Sequence, residues 1–294
     1  MRLVTFIKEK AAHIGALIEN DRTVIDLTSA GFGNDLNELI DGGATRLDEV
    51  AAAVSAASVT HDAEGLQLLA PLPRPRRNIL CVGKNYYEHA EEFHSSGFDS
   101  TGKGAVPEFP IVFTKAPSSV IGPGEAINVA NDYTNSTDYE GEITVVIGKG
   151  GRNISKADAY DHIFGYTIIN DVTARTLQHQ HNQWFIGKSV DTYCPMGPVL
   201  VTSDEIADVD AMHMITRVNG EVRQDVLAND MIFDIPTTIE TLSRTMMLEP
   251  GDIIATGTCA GVGIGFKPPK YLKAGDVVEI EVSGIGTLSN KVIA

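Results

Sequence analysis

Cysteine is scarce. Only three occur in 294 residues, Cys81, Cys194 and Cys259. They are far apart and in no Cys-x-x-Cys spacing, which argues against a disulfide framework or a zinc-thiolate site. Basic residues are also few: 23 Lys and Arg stand against 39 Asp and Glu, a formal charge of −16. A nucleic-acid binder needs a basic footprint, and none is visible. An anionic membrane surface would repel the chain as well. No apolar run approaches the roughly 18 residues of a membrane helix. The opening stretch, MRLVTFIKEKAAHIGALIEN, carries charges inside its apolar residues and makes a poor secretory signal. Internal repeats and low-complexity tracts are missing too. The expectation is a cytoplasmic enzyme with no nucleic-acid or membrane partner.

What is present reads as an ordinary globular protein, 43% hydrophobic and 21% charged. A chain of this size buries roughly 75% of the surface its unfolded form exposes, so no staple is needed. An anionic substrate would have to be held locally, by a metal or a few placed cations.

Short β-rich runs open the chain, at residues 3–7, 14–18 and 24–27, followed by helical patterns at 34–41 and 47–57. Pro71, Pro73 and Pro75 then disfavour helix. This predicts a small α/β module over 1–70, an extended connector over 71–77 and a larger domain over 78–294. The larger part is strand-rich, with apolar runs at 79–82, 111–114, 142–147 and 165–170. Asn219-Gly220 predicts a type I′ hairpin, and 277–282 with 287 onward predicts a second. Ser155-x-x-Asp158 and Thr237-x-x-Glu240 read as capping boxes. Strands and helices do not alternate regularly, so the expected fold class is α+β and β-rich rather than doubly wound. Residues 94–110, Gly/Ser-rich and aperiodic, read as a surface insertion or as a lid, the lid taking in 88–108.

Gly257, Gly261, Gly263 and Gly265 follow a strand-like run, but no Gly-Lys-Ser/Thr and no helix start follows. Nucleotide binding is disfavoured. Backbone approach to a small ligand is the better reading.

Three constellations carry chemistry. Glu140 and Glu142, two apart on a strand, share a face, and Asp171 ends another apolar run. Three carboxylates at two strand ends suit a hard cation. Exposed Glu-x-Glu pairs and an Asp171 that merely caps a helix explain the same residues. His89 and Glu92, three apart on a helix, could form a general-base pair or an incidental part of an acidic face. Lys188, beside Trp184, could be a salt-bridge partner, an anion holder or a stabiliser of an enolate.

In this order the pieces resemble the fumarylacetoacetate hydrolase family. The resemblance rests on CVGKNYYEHAEEF, TDYEGEITVVIGKGGRNIS, GYTIINDVTARTLQ, QWFIGKSVDTYCPMGP, VNGEVRQD, LEPGDIIATGTCAGVGIG and LKAGDVVEIEVSGIGTLSN. It covers residues 78–294, and the N-terminal module also looks like that of many members. It implies a mixed β-roll, a homodimer and one Mg²⁺ or Mn²⁺ per subunit. Glu140, Glu142 and Asp171 match the metal carboxylates. His89 and Glu92 match the water-activating dyad, and Lys188 the active-site lysine. Arg175, Gln178 and Thr258 match substrate-binding positions. The implied activity is hydrolysis of a C–C bond in an acylpyruvate or fumarylpyruvate-type acid through an enolate. The alternatives are a 2-oxo diacid isomerase, an oxaloacetate decarboxylase or a keto–enol tautomerase. Cys259, Ile186 and Thr176 stand where relatives commonly carry proline, arginine and aspartate. Ile186 removes a cation and puts the distal half of the substrate in question.

Overall fold

The computed structural model describes residues 1–57, 59–99 and 104–294. Its largest sheet has twelve strands. One path across it runs Thr60–Asp62, Thr23–Asp26, Ala11–Ile18, Arg2–Lys8, Cys194–Thr202, Ile163–Asn170, Gly141–Ile147, Ile253–Ala255, Ile79–Gly83 and Ile111–Lys115. Neighbours on this path pair antiparallel except Ile253–Ala255 with Ile79–Gly83. A second sheet of five strands holds both sequence-read hairpins. Helices are peripheral, so the chain is α+β and β-rich.

Residues 1–70 contribute five strands to the large sheet, and Arg2–Lys8 joins them to the rest through Arg2↔Val201 and Leu3↔Leu200. The central strands Gly141–Ile147 and Ile163–Asn170 are buried along their whole length. That explains why apolar residues dominate them: both faces are covered, and the polar exceptions, Glu142, Thr144, Thr167 and Asn170, are themselves buried.

Local signals mostly act as their chemistry requires. Asn219 and Gly220 take φ of 53° and 79° in the turn after Val218. Two corrections apply to the helix starts. Thr237 does not cap its helix: Ile235–Thr245 begins two residues before it, with Asp234 accepting from the Thr237 N–H and Pro236 in the first turn. Proline pre-set for helical φ moves the start upstream. Ser155 and Asp158 do bond each other, at 2.6 Å, but only a 3₁₀ turn, Ala159–His162, follows. The segment read as a loop from residue 94 begins inside helix Tyr87–Ser95. Residues 100–103 of the expected lid lie outside the described residues.

Candidate active site

The site grows from one register. Gly141 pairs with Asn170, so the starts and ends of the two buried central strands coincide. Glu140 lies one residue before the first strand and Asp171 one after the second, joined by Asp171 N–H to Glu140 O at 2.8 Å. Glu142 shares the face of Glu140 by strand alternation. Ligand oxygens of Glu140, Glu142 and Asp171 lie within 4.8 Å of one another, and all three side chains are buried. An exposed acidic pair is thereby excluded. So is capping by Asp171, because helix Arg175–Gln180 begins at Ala174 with no side-chain cap.

Cations interleave with these carboxylates. Lys188 Nζ lies 2.6 Å from both Glu140 Oε2 and Asp171 Oδ2. Arg175 reaches Glu140 Oε1 at 2.6 Å and Asp138 Oδ2 at 2.8 Å. Its Nη1 also donates to Gln178 Oε1 at 3.3 Å. Arg175 and Lys188 sit on two short helices held close by Gly187, where a Cβ would come 2.4 Å from the Gln178 nitrogen. Burial would raise the Glu140 carboxyl, but Arg175 and Lys188 outweigh it and hold Glu140 well below the usual range. Glu142 goes the other way. Burial, then the charges of Asp171 and Glu140, push it well above its ordinary value. Among the described residues it has no ion pair, and its hydrogen bond comes from the Gly257 N–H at 2.9 Å. Lys188 is raised: burial disfavours its charge, and the Asp171 and Glu140 charges more than restore it.

Helix Tyr87–Ser95 turns His89 into the same cavity, a space of ≈ 20 Å³ also lined by Glu140, Glu142, Arg175, Lys188 and Thr258. His89 Nδ1 lies 3.3 Å from Glu92 Oε2. Glu92 Oε1 accepts from the Gly261 N–H at 3.1 Å, and a Cβ on Gly265 would overlap it at 1.9 Å. Phe93, Phe113 and Trp184 form an aromatic wall, with Trp184 edge-on to both rings. A larger open cleft, ≈ 780 Å³, lies near Arg2, Asp21 and Ile285; among the described residues its carboxylates, Asp21, Asp62 and Glu64, do not form a group close enough to share a metal ion.

The structure thus brings His89, Glu140, Glu142, Arg175, Gln178, Lys188 and Thr258 to one cavity, with Glu92 and Asp171 directly behind. Thr258 has its hydroxyl engaged, donating to Gly141 O and accepting from Gln224. The glycine-rich loop departs from its expected role. Its N–H groups meet the protein's own carboxylates: Gly257 meets Glu142, Gly261 meets Glu92, and Gly263 and Ile264 meet Asp138. Sequence reading missed Asp138, although Asp138-x-Glu140-x-Glu142 extends the same alternation by one step. It also missed Lys84, which lines the cavity and pairs with Asp99 at 2.8 Å, and Lys115, which bonds Asp171 at 2.6 Å.

A divalent ion fits these residues. The donor set is all oxygen, as Mg²⁺ and Mn²⁺ require. Glu142 is a buried carboxylate pressed by two others with no cation of its own. Residues 78–293 match the model of the fumarylacetoacetate (FAA) hydrolase C-terminal domain.

The chain belongs to the fumarylacetoacetate hydrolase family. Oxaloacetate tautomerase YisK of Bacillus subtilis is 56% identical over 227 residues, 77% of this chain and 73% of that protein. The solved structure of a fumarylacetoacetate hydrolase from Exiguobacterium antarcticum is 43% identical, with a TM-score of 0.85 over 100% of this chain and 99% of that one. Maleylpyruvate hydrolase from Sphingobium sp. SYK-6, solved with manganese(II) and pyruvate, is 28% identical, with a TM-score of 0.80 over 100% and 99%. The family therefore contains hydrolases and tautomerases on this fold, and the chain is an enzyme of that group.

Proposed function

We propose that this protein is a Mg²⁺- or Mn²⁺-dependent tautomerase that interconverts the keto and enol forms of oxaloacetate or a closely related 2-oxo diacid. The observation that carries the reading is the convergence of a base, His89, with the buried triad Glu140, Glu142 and Asp171 at one small cavity. The 56% identity to an oxaloacetate tautomerase supports this choice over the hydrolysis implied by the motifs.

Glu140, Glu142 and Asp171 would hold the ion, which supplies Lewis-acid polarisation of a keto oxygen when bound. Arg175 Nη2 is buried with no hydrogen-bond partner among the described residues and offers a donor to a substrate carboxylate. His89 would take the proton from the carbon between the keto group and the distal carboxylate, and a proton returns to the keto oxygen to complete the enol. Glu92, on Nδ1, fixes the orientation and tautomer of the imidazole. The Lys188 ammonium stabilises negative charge as it grows on oxygen. The aromatic wall keeps bulk water from the enolate.

One observation favours a second reading, C–C hydrolysis of an acylpyruvate or fumarylpyruvate. A His–Glu pair is the usual preparation for activating water, and the free space suits about one water molecule. Homodimerisation belongs to the same proposal, and sedimentation would test it. Stopped-flow decay of enol-oxaloacetate absorbance with and without Mg²⁺ tests the main reading. Acceleration that needs Mg²⁺ and is lost in His89→Ala supports tautomerisation. Pyruvate release from acylpyruvates without that acceleration replaces it with hydrolysis, and the absence of both activities overturns both readings.

A further inference from the structure

Lys115 ends the strand Ile111–Lys115, and its side chain is fully buried. An ammonium carries three donors and no acceptor. All three are used: Asp171 Oδ1 at 2.6 Å, Val172 O at 3.0 Å, and the carbonyl oxygen of Lys188. No donor is left for a substrate, so Lys115 cannot act as an anion holder. The two lysines divide one carboxylate: Lys115 holds Oδ1 and the Lys188 ammonium holds Oδ2. The next residue repeats the docking, with Ala116 N–H donating to Ser189 Oγ at 3.0 Å.

We propose that Lys115 is a positioning residue that ties Asp171 and the backbone of Lys188 into one unit, so that the carboxylate behind the cavity and the ammonium that lines it keep a fixed relation. This rests on Asp171 being a metal ligand in the function proposed above. The physical reason is that a buried charge is tolerated only when fully partnered. Lys115 touches the residue after Asp171, Asp171 itself and Lys188, three points on two segments that the Lys188 ammonium also joins through Asp171. Its grip on Oδ1 leaves Oδ2 as the oxygen turned towards Lys188 and the other carboxylates.

Groups that orient a metal ligand typically change affinity or activity about 10–100-fold when removed. Lys115→Met, which keeps the stem and removes the donors, should weaken Mn²⁺ binding by about that factor in calorimetry, with near-UV circular dichroism unchanged. Equal affinity in a folded Lys115→Met overturns the proposal. Failure of the unaltered protein to bind Mn²⁺ is a different result, because it overturns the metal reading itself. Should Lys115→Met not fold, the unaltered protein still decides. In ¹⁵N-lysine-labelled protein, the Lys115 ammonium, assigned through its side-chain carbons, should show slowly exchanging protons and a ¹⁵N shift that moves when Mg²⁺ is added. Rapid exchange, or a signal indifferent to Mg²⁺, overturns the positioning role.

Discussion

Two buried carboxylate centres in this chain are built on opposite terms. Among the N-terminal strands, Asp26 collects donors from four places. Lys8 Nζ lies at 3.0 Å, His13 Nδ1 at 3.1 Å and His61 Nε2 at 3.4 Å, and Ser29 donates through both its N–H and its hydroxyl. Burial would raise Asp26, but the Ser29, His13 and Lys8 bonds prevail and hold it well below its ordinary value. At the active site, Glu142 has one backbone donor and two carboxylate neighbours, and is pushed up. A saturated centre fastens strands together. An unsaturated one stores unfavourable energy that a ligand can release, which is the mark of a functional site.

Removing groups from each centre should separate the two roles. The largest effect falls on the His89–Glu92 pair. Loss of a general base costs about 10²–10⁴-fold in rate. His89→Ala and Glu92→Ala should each show this in enol-oxaloacetate decay. The double variant should be little worse than His89→Ala, because Glu92 acts through the imidazole. Multiplicative losses would show that they act separately. Gly265→Ala should imitate Glu92→Ala in part, since its Cβ would displace the Glu92 carboxylate.

Next comes Glu142→Gln. Loss of a direct ligand should weaken Mn²⁺ binding by more than about 100-fold, beyond what groups behind the ligands cause. The metal-free protein should melt higher by about 2 °C, because one of three mutually repelling carboxylates is gone and the Gly257 N–H keeps an acceptor. A lower melting point would mean that the triad is not under repulsion. Asp26→Asn should do the reverse: Mn²⁺ affinity and rate unchanged, stability lower by about 2–3 kcal/mol, as expected when charged hydrogen bonds to a buried acceptor are weakened. Urea denaturation checks it.

The same contrast explains what could be read from the sequence. Strand alternation and strand ends are local features and made Glu140, Glu142 and Asp171 candidates, and helical spacing did the same for His89 and Glu92. Spacing left other readings of all five open, and only the family resemblance chose among them. Lys115 and Asp138 were not, because their partners lie 56 and 37 residues away in sequence. Nothing within a strand tells a buried lysine from an exposed one. The Asp26 centre was invisible for the same reason: it gathers one residue from each of several short strands. The Asp234 cap was missed although Asp-x-x-Thr and a following proline were both present, since the later Thr-x-x-Glu spells the same signal. The glycine-rich loop was legible as close-approach backbone, yet which carboxylates approach it depends on sheet register.

The smallest effect is a pH dependence confined to the N-terminal centre. Asp26 has its folded value depressed from 3.8, so the folded state binds fewer protons than the unfolded one around that pH. Stability from Asp26 is then fully present above about pH 5 and is lost as pH falls through 3.8 towards the folded value. The groups facing Asp26 are Lys8, His13 and His61. Urea unfolding of the metal-free protein between pH 5 and pH 2 should therefore fall more steeply than that of Asp26→Asn, the two curves drawing together at the acid end. Parallel curves would show that Asp26 keeps an ordinary carboxylate value in the folded state, and the contrast between a saturated and an unsaturated centre would then rest on Glu142 alone.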